Sequence, residues 1–271
     1  MRIALVQMRS GTDVSENLAA AEHLIRDAAA DGAKLIATPE TTHLVQKDAE
    51  KLFETIQHPD DDRAIPFFAK LARELDVTLL IGSLALRDGK RRAVNRSHLF
   101  GSDGQLLAAY DKVHMFDVGL GQGEVYSEST HYQAGDRAVV ADIPGAKLGL
   151  TICYDVRFAY LYRRLAQAGS QIIAVPSAFT RPTGKAHWEI LLRARAIETG
   201  SFILAPAQGG LHDDGRKTWG HSMIIGPWGD IIAQLDHDEP GVLLADIDLE
   251  KVETARTRIP ALHHDREISG P

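Results

Sequence analysis

Apolar and polar positions along this chain alternate between short unbroken runs and stretches of helical period. Ile3 to Met8 is a nearly continuous apolar run, the pattern of a buried strand. Asp13, with Glu16 three residues on, makes a capping-box-like start. Leu18, Ala21 and Ala28 then carry helical periodicity to Gly32, a natural stop. Lys34 to Thr38 reads as a second strand ended by Pro39, which completes a βαβ-like unit. Pro66 to Leu75 reads as a helix and Val77 to Leu84 as a strand. Ala93 to Phe100 and Gln105 to Tyr110 flank Gly101-Ser102-Asp103-Gly104, a hairpin signal.

Residues 113 to 136 carry no clear period, and a segment this long in a compact domain is usually functional or disordered. A second hairpin runs from Val139 to Ile143 and from Lys147 to Cys153 across Pro144-Gly145. Leu161, Tyr162 and Leu165 announce a helix. Ile172 to Pro176 is another apolar run. Ala186 to Thr199 is helical, with Ile190, Leu191, Ala194 and Ile197 near one face and Gly200 as its stop. Phe202 to Pro206 reads as a strand, and Met223 to Ile225 with Ile231 to Leu235 as a third hairpin. Val242 to Ile247 is the last strand, and Asp248 caps a helix to about Arg258. Hairpins mixed with strand–helix alternation predict an α/β sandwich with mixed sheets.

Composition narrows the class. A chain of 271 residues fits one large α/β domain, residues 1–271, with 260–271 as a polar C-terminal tail. One cysteine allows no intrachain disulfide and fits a reducing, cytoplasmic setting. No segment approaches the ~18 unbroken apolar residues of a membrane span. A net charge of −7 without a basic block argues against nucleic acid as a partner.

Three polar residues stand just past apolar runs: Glu40, Lys112 and Cys153. In α/β sheets chemistry gathers beyond the carboxyl ends of strands. Singly, a glutamate or lysine there is an ordinary solvated residue, and a lone cysteine is most often a buried small hydrophobe. As a set their roles fit one another. The carboxylate can take the thiol's proton, and the ammonium can stabilise a developing oxyanion. A helix start after Cys153 would add its dipole to hold a thiolate. The set requires no metal or cofactor. Competing signals are weak. Gly210 to Thr218 looks like a P-loop, but Arg216 separates the second glycine from Lys217. The glycine-rich run at 119–124 ends in Glu124 where a dinucleotide fingerprint needs glycine. No HExxH or GxSxG motif occurs.

The segments TPET around Glu40, YDKVHMFDV around Lys112 and TICYDVRF around Cys153 resemble, in order, the three motifs of the nitrilase superfamily of carbon–nitrogen hydrolases. The likeness extends from Leu5-Val6-Gln7 to the GPWGDII hairpin. It is closest to the branch of deaminated glutathione amidases and omega-amidases, through SAFTRPTGKAHWEILLRARAIET at 177–199. The resemblance implies an αββα four-layer sandwich that pairs into a homodimer through helices flanking the sheets. It implies a second glutamate after the lysine: Glu128, where Ser129 follows and Gly135 lies seven residues on, with Glu124 as rival. It implies that Arg157, Phe179 and Thr183 help bind a substrate carboxylate. For Arg157 the chemistry agrees, since a guanidinium is suited to bidentate carboxylate recognition; a fixed ion pair with Asp155 or another acid is the alternative. Ala159-Tyr160 stands where the family has Pro-Glu, and Lys185 where it has Glu.

The expected reaction is hydrolysis of a small carboxylate-bearing amide to acid and ammonia through a thioester on Cys153. Lys112 and the Tyr154 N–H would hold the oxyanion. Omega-amide or nitrile hydrolysis is the alternative, and a catalytically silent binding dimer the non-enzymatic one.

Overall fold

The computed structural model describes residues 1–121 and 124–270; Gln122, Gly123 and the side chain of Glu124 lie outside the described residues. In chain order the first half comprises β1 (Arg2–Gln7), α1 (Val14–Ala30), β2 (Leu35–Ala37), α2 (Ala49–Thr55), α3 (Ala64–Leu75), β3 (Thr78–Arg87), β4 (Ala93–Phe100), β5 (Leu106–Asp111), β6 (Asp117–Gly121) and β7 (Glu124–Ser127). The second half comprises β8 (Val139–Ile143), β9 (Ala146–Leu150), α4 (Ala159–Gln167), β10 (Ile172–Ala174), α5 (Arg181–Thr199), β11 (Phe202–Ala205), β12 (Gly209–Leu211), β13 (Lys217–Trp219), β14 (Met223–Ile225), β15 (Ile231–Gln234), β16 (Gly241–Asp246) and α6 (Glu250–Arg258).

Two six-stranded sheets, ordered β16-β1-β2-β3-β4-β5 and β15-β14-β11-β10-β9-β8, carry the fold. Each has three parallel central strands, β1-β2-β3 and β9-β10-β11, extended by antiparallel neighbours. Strand alternation sorts the first sheet's side chains between two layers. Ile3, Leu5, Leu35 and Leu80 pack with Leu148, Leu150 and Ile172 of the second sheet. Ala4, Val6, Ile36 and Ile81 face Leu18 and Ile25 of α1 and Phe68 and Leu71 of α3. The second sheet's outer face is covered by α4 and α5 through Tyr162, Leu165, Trp188 and Leu192. The architecture is the αββα sandwich with mixed sheets.

The local signals act as read at α1, where Asp13 Oδ1 accepts from the N–H groups of Ser15 (2.7 Å) and Glu16 (3.1 Å). Elsewhere long-range packing decides. The segment 113–136 is not structureless: β6 and β7 pair antiparallel and a 3₁₀ turn follows over Glu128–Thr130. The P-loop look-alike is the β12–β13 hairpin. Helix α5 starts at Arg181 rather than Ala186, with Pro182 in its first turn. Its apolar row is split, because Trp188, Leu192 and Ala196 are buried while Ile190 and Ile197 are 70% and 55% exposed. The tail docks on α4: Leu262 is buried and Arg163 Nε donates to Asp265 at 2.8 Å. Among the described residues no helix is long and apolar enough to cross a membrane.

One glycine brings the two halves of the site together. A Cβ on Gly82 would lie 2.1 Å from the Thr38 carbonyl oxygen, 2.4 Å from that of Pro39 and 2.5 Å from Pro176 Cβ. Only glycine lets β3 approach the loop that carries Glu40 and the second sheet's Pro176. The Gly82→Ala variant should lose about 1–3 kcal/mol, the usual penalty of overpacking. A urea melt with an unchanged midpoint would refute this close approach.

Candidate active site

The three residues past the strand ends converge. Glu40 follows β2, Lys112 follows β5 directly, and Cys153 lies past β9 at the start of a 3₁₀ turn, Cys153–Arg157. All three are buried and line one cavity of about 830 Å³. Lys112 Nζ donates to Glu40 Oε1 at 2.9 Å and to both Glu128 oxygens at 3.0 and 2.9 Å. Glu40 Oε1 also accepts from Asn95 Nδ2, and Oε2 from the Ala178 N–H, each at 2.9 Å. Cys153 stands beside the same carboxylate, close enough that each shifts the other's ionisation. Glu128 is fixed in turn by the Phe116 N–H at 2.6 Å. Glu128 thus lies beside Lys112, while the side chain of its rival Glu124 lies outside the described residues.

Burial alone would raise the pKa of Glu40, but the Lys112 ammonium and the hydrogen bonds to its oxygens overcome this and pull it below the usual carboxylate value. Burial likewise opposes the charge on Lys112, yet Glu128 and Glu40 hold it well above an ordinary lysine. Cys153 goes the other way: burial first, then the Glu40 charge, push the thiol well above its usual value. The resting arrangement is therefore an ionised base facing a protonated thiol. The turn after Cys153 is a single 3₁₀ segment of five residues, and desolvation outweighs what its N-terminus offers.

The backbone pays for this placement. Cys153 and Thr41, next to Glu40, adopt left-handed φ values of +48° and +53°. Non-glycine residues rarely do so, at a cost of order 1–3 kcal/mol. The Cys153 turn is braced by Asp155, fully buried, which accepts from the Ile152 N–H (2.9 Å), Tyr110 Oη (2.7 Å) and the His114 N–H (3.0 Å), and pairs with His114 Nδ1 at 2.6 Å. Tyr110 and His114 flank Lys112 two residues either side, so one carboxylate ties the lysine's strand exit to the cysteine's turn. Tyr160, where the family has Glu, places its hydroxyl on His114 Nε2.

Of the expected substrate contacts, Tyr154, Phe179 and Thr183 line the cavity. Arg157 stands behind them rather than on the cavity wall. Its guanidinium lies over the rings of Tyr154 (5.7 Å) and Phe179 (5.6 Å), and Nη2 reaches His187 Nδ1 at 3.2 Å. Asp155 is taken by Tyr110 and His114, so the alternative ion pair is absent too. Lys185 is exposed and off the cavity wall. Asn95 was not singled out by sequence; its one signal is an amide in the middle of strand AVNRSHLF, where asparagine is disfavoured. Among the described residues no group of His, Cys, Asp or Glu is gathered tightly enough to hold a metal ion.

Fold and site together define a class: two stacked α/β layers with a thiol, a carboxylate and an ammonium meeting at strand ends of both sheets. The chain belongs to the carbon–nitrogen hydrolase family, whose profile matches residues 2–257. It is 42% identical over 271 residues to the deaminated glutathione amidase of Yersinia enterocolitica, covering 98% of this chain and 93% of that one. Among solved structures the C. elegans NitFhit protein superposes with a TM-score of 0.90 at 35% identity; the match covers 98% of this chain but only 65% of NitFhit. An amidase from Nesterenkonia sp. AN1 matches with a TM-score of 0.81 at 27% identity, over 97% and 95% of the two chains. That structure is a glutamate-to-glutamine variant carrying the acetamide moiety of fluoroacetamide on its active-site cysteine.

Proposed function

We propose that this chain is a thiol amidase whose nucleophile is Cys153 and whose preferred substrate is deaminated glutathione. The observation that carries the reaction is the convergence of Cys153, Glu40 and Lys112, all buried on one cavity, with the Glu40 carboxylate held by Lys112 at 2.9 Å. Glu40 takes the thiol proton as sulfur attacks the amide carbonyl, with Lys112 and the Tyr154 N–H receiving the oxyanion. Glu128 orients the amide and supports proton delivery to the leaving nitrogen. The C–N bond breaks, the amine departs with that proton, and a thioester remains on Cys153. Water deprotonated by Glu40 then cleaves the thioester, releasing a carboxylic acid and the free thiol.

The substrate reading rests on the relatives' names and on the size of the cavity. It changes one expected product. Deaminated glutathione carries secondary amides, so its leaving group is a peptide amine rather than ammonia; ammonia is released only from primary amides. Phe179 and Thr183 are the pocket contacts retained from the sequence reading.

The exposed Ile190 and Ile197 of α5, with Trp228 and Ile259, support pairing of two copies through this face as a homodimer. The single unpaired thiol supports a reducing, cytoplasmic setting, and the core shared by both sheets supports one domain over 1–271.

The test is a panel of deaminated glutathione, α-ketoglutaramate, simple aliphatic amides and nitriles, with release of amine or ammonia measured. Deaminated glutathione should give the highest kcat/KM, and Cys153→Ala should show none. Full turnover by Cys153→Ala, or nitriles hydrolysed as fast as amides, would overturn the assignment.

A further inference from the structure

The cavity is electrically polarised from floor to rim. At the floor, Lys112 stands against Glu40 and Glu128, a net charge of −1 beside Cys153. The remaining charged residues of the described cavity wall are all cationic: Lys47, Arg181, Arg216 and Lys217. The chain as a whole carries −7. A positive rim on an acidic protein concentrates anions at that one place, and low-dielectric walls strengthen the effect.

The rim cations differ in how far they are already paired. Arg181 is held by Asp238 at 2.5 Å. Among the described residues Arg216 has only a loose ion pair, Nη2 to Asp214 Oδ2 at 3.4 Å. Lys47 has no ion-pair partner among the described residues, and its Nζ lies 3.4 Å from where a Cβ on Gly215 would stand. Lys47 therefore sits against the hairpin turn between β12 and β13 that carries Arg216. Arg216 is the less exposed of the two, at 24%, and its charge is felt by the half-buried Tyr132, which also senses Glu128, Glu40 and Lys112. A guanidinium with a weak partner, beside a free ammonium, facing the reacting groups across one cavity, is the arrangement that recognises a carboxylate.

We propose that Arg216 and Lys47 form the clamp for a substrate carboxylate remote from the scissile amide. Glu40 and Glu128 repel that carboxylate from the floor while the rim attracts it, so the amide end is delivered to Cys153. This inference rests on the amidase reading of Cys153 and adds to it the determinant of specificity.

The test compares deaminated glutathione with two monomethyl esters, one blocking the keto-acid carboxylate and one the glycine carboxylate. In the unaltered protein, esterifying the clamped carboxylate should lower kcat/KM about tenfold to a hundredfold, mostly through KM. In the double variant Arg216→Gln, Lys47→Gln that acid-to-ester ratio should collapse toward one, and Arg216→Lys should restore part of it. The ester whose ratio collapses identifies which end is held. Ratios that remain unchanged in the double variant for both esters would overturn the clamp. A second measurement needs no turnover. Glutarate should protect Cys153 from iodoacetamide in the unaltered protein and protect at least tenfold less well in the double variant. If deaminated glutathione is not hydrolysed but this difference in protection is seen, the substrate reading falls and the clamp stands. Equal protection in both proteins refutes the clamp.

Discussion

Replacing Glu40 by glutamine is expected to lower amide kcat/KM by about three orders of magnitude, while making Cys153 easier to alkylate. The first effect follows from the loss of the base, since positioned proton transfer contributes about 10²–10⁴-fold. The glutamine can keep its carbonyl oxygen on Lys112 and Asn95, while its amide nitrogen cannot accept from the Ala178 N–H, so the variant loses the proton acceptor together with one anchoring bond. The second effect follows from the charge. After burial, the Glu40 carboxylate is the main reason the thiol sits well above its ordinary pKa, and Lys112 acts in the opposite direction. Without the carboxylate, the ammonium's stabilisation of the thiolate is less opposed and the thiol ionises at lower pH. The pH profile of iodoacetamide alkylation should therefore shift toward acid in Glu40→Gln while amide turnover collapses. A profile shifted toward alkali, or retained turnover, would show that Glu40 is not the ionised base beside the thiol.

This pair of effects was only partly legible in the chain. Glu40, Lys112 and Cys153 can be picked out because each marks a change from an apolar run to polar residues, and a strand's end is written locally. Their partners are not. Asn95 lies within a strand and becomes informative only when β4 is set beside β2's exit through the sheet. Arg216 is on a short hairpin with no period of its own, so its sequence resembled a failed phosphate loop. Arg157 was picked out through resemblance and guanidinium chemistry, and its place over the rings of Tyr154 and Phe179 depends on long-range packing that no local pattern writes. Ile190 and Ile197 show the converse limit. Helical period reveals that a row is apolar, but whether the row faces the core or the outside depends on which row wins the packing, and here Trp188, Leu192 and Ala196 do. The short helix α2 and the β6–β7 pair were missed because too few residues carry their pattern.

Lys112→Met should remove activity and also invert how stability depends on pH. Lys112 is the cation shared by two carboxylates, with 3% of its side chain exposed, against 6% and 14% for Glu40 and Glu128. Methionine fills similar space but leaves those charges facing each other with only hydrogen-bond donors for compensation. Breaking a buried pair in this way costs about 3–5 kcal/mol at neutral pH. For a chain of this size that is a fall in Tm of roughly 10 °C. In the unaltered protein the folded-state pKa of Glu40 lies below its unfolded value of 4.5, so its contribution is present above pH 4.5 and is lost as pH falls through the folded value. In the variant, burial acts without the ammonium and the folded pKa rises above 4.5. Its contribution is then greatest below pH 4.5 and is lost as pH climbs through the raised value. Urea melts across mildly acidic to neutral pH should show the deficit of Lys112→Met shrinking as the solution is acidified. A deficit that is constant with pH would mean that Lys112 supports the site by packing rather than by charge.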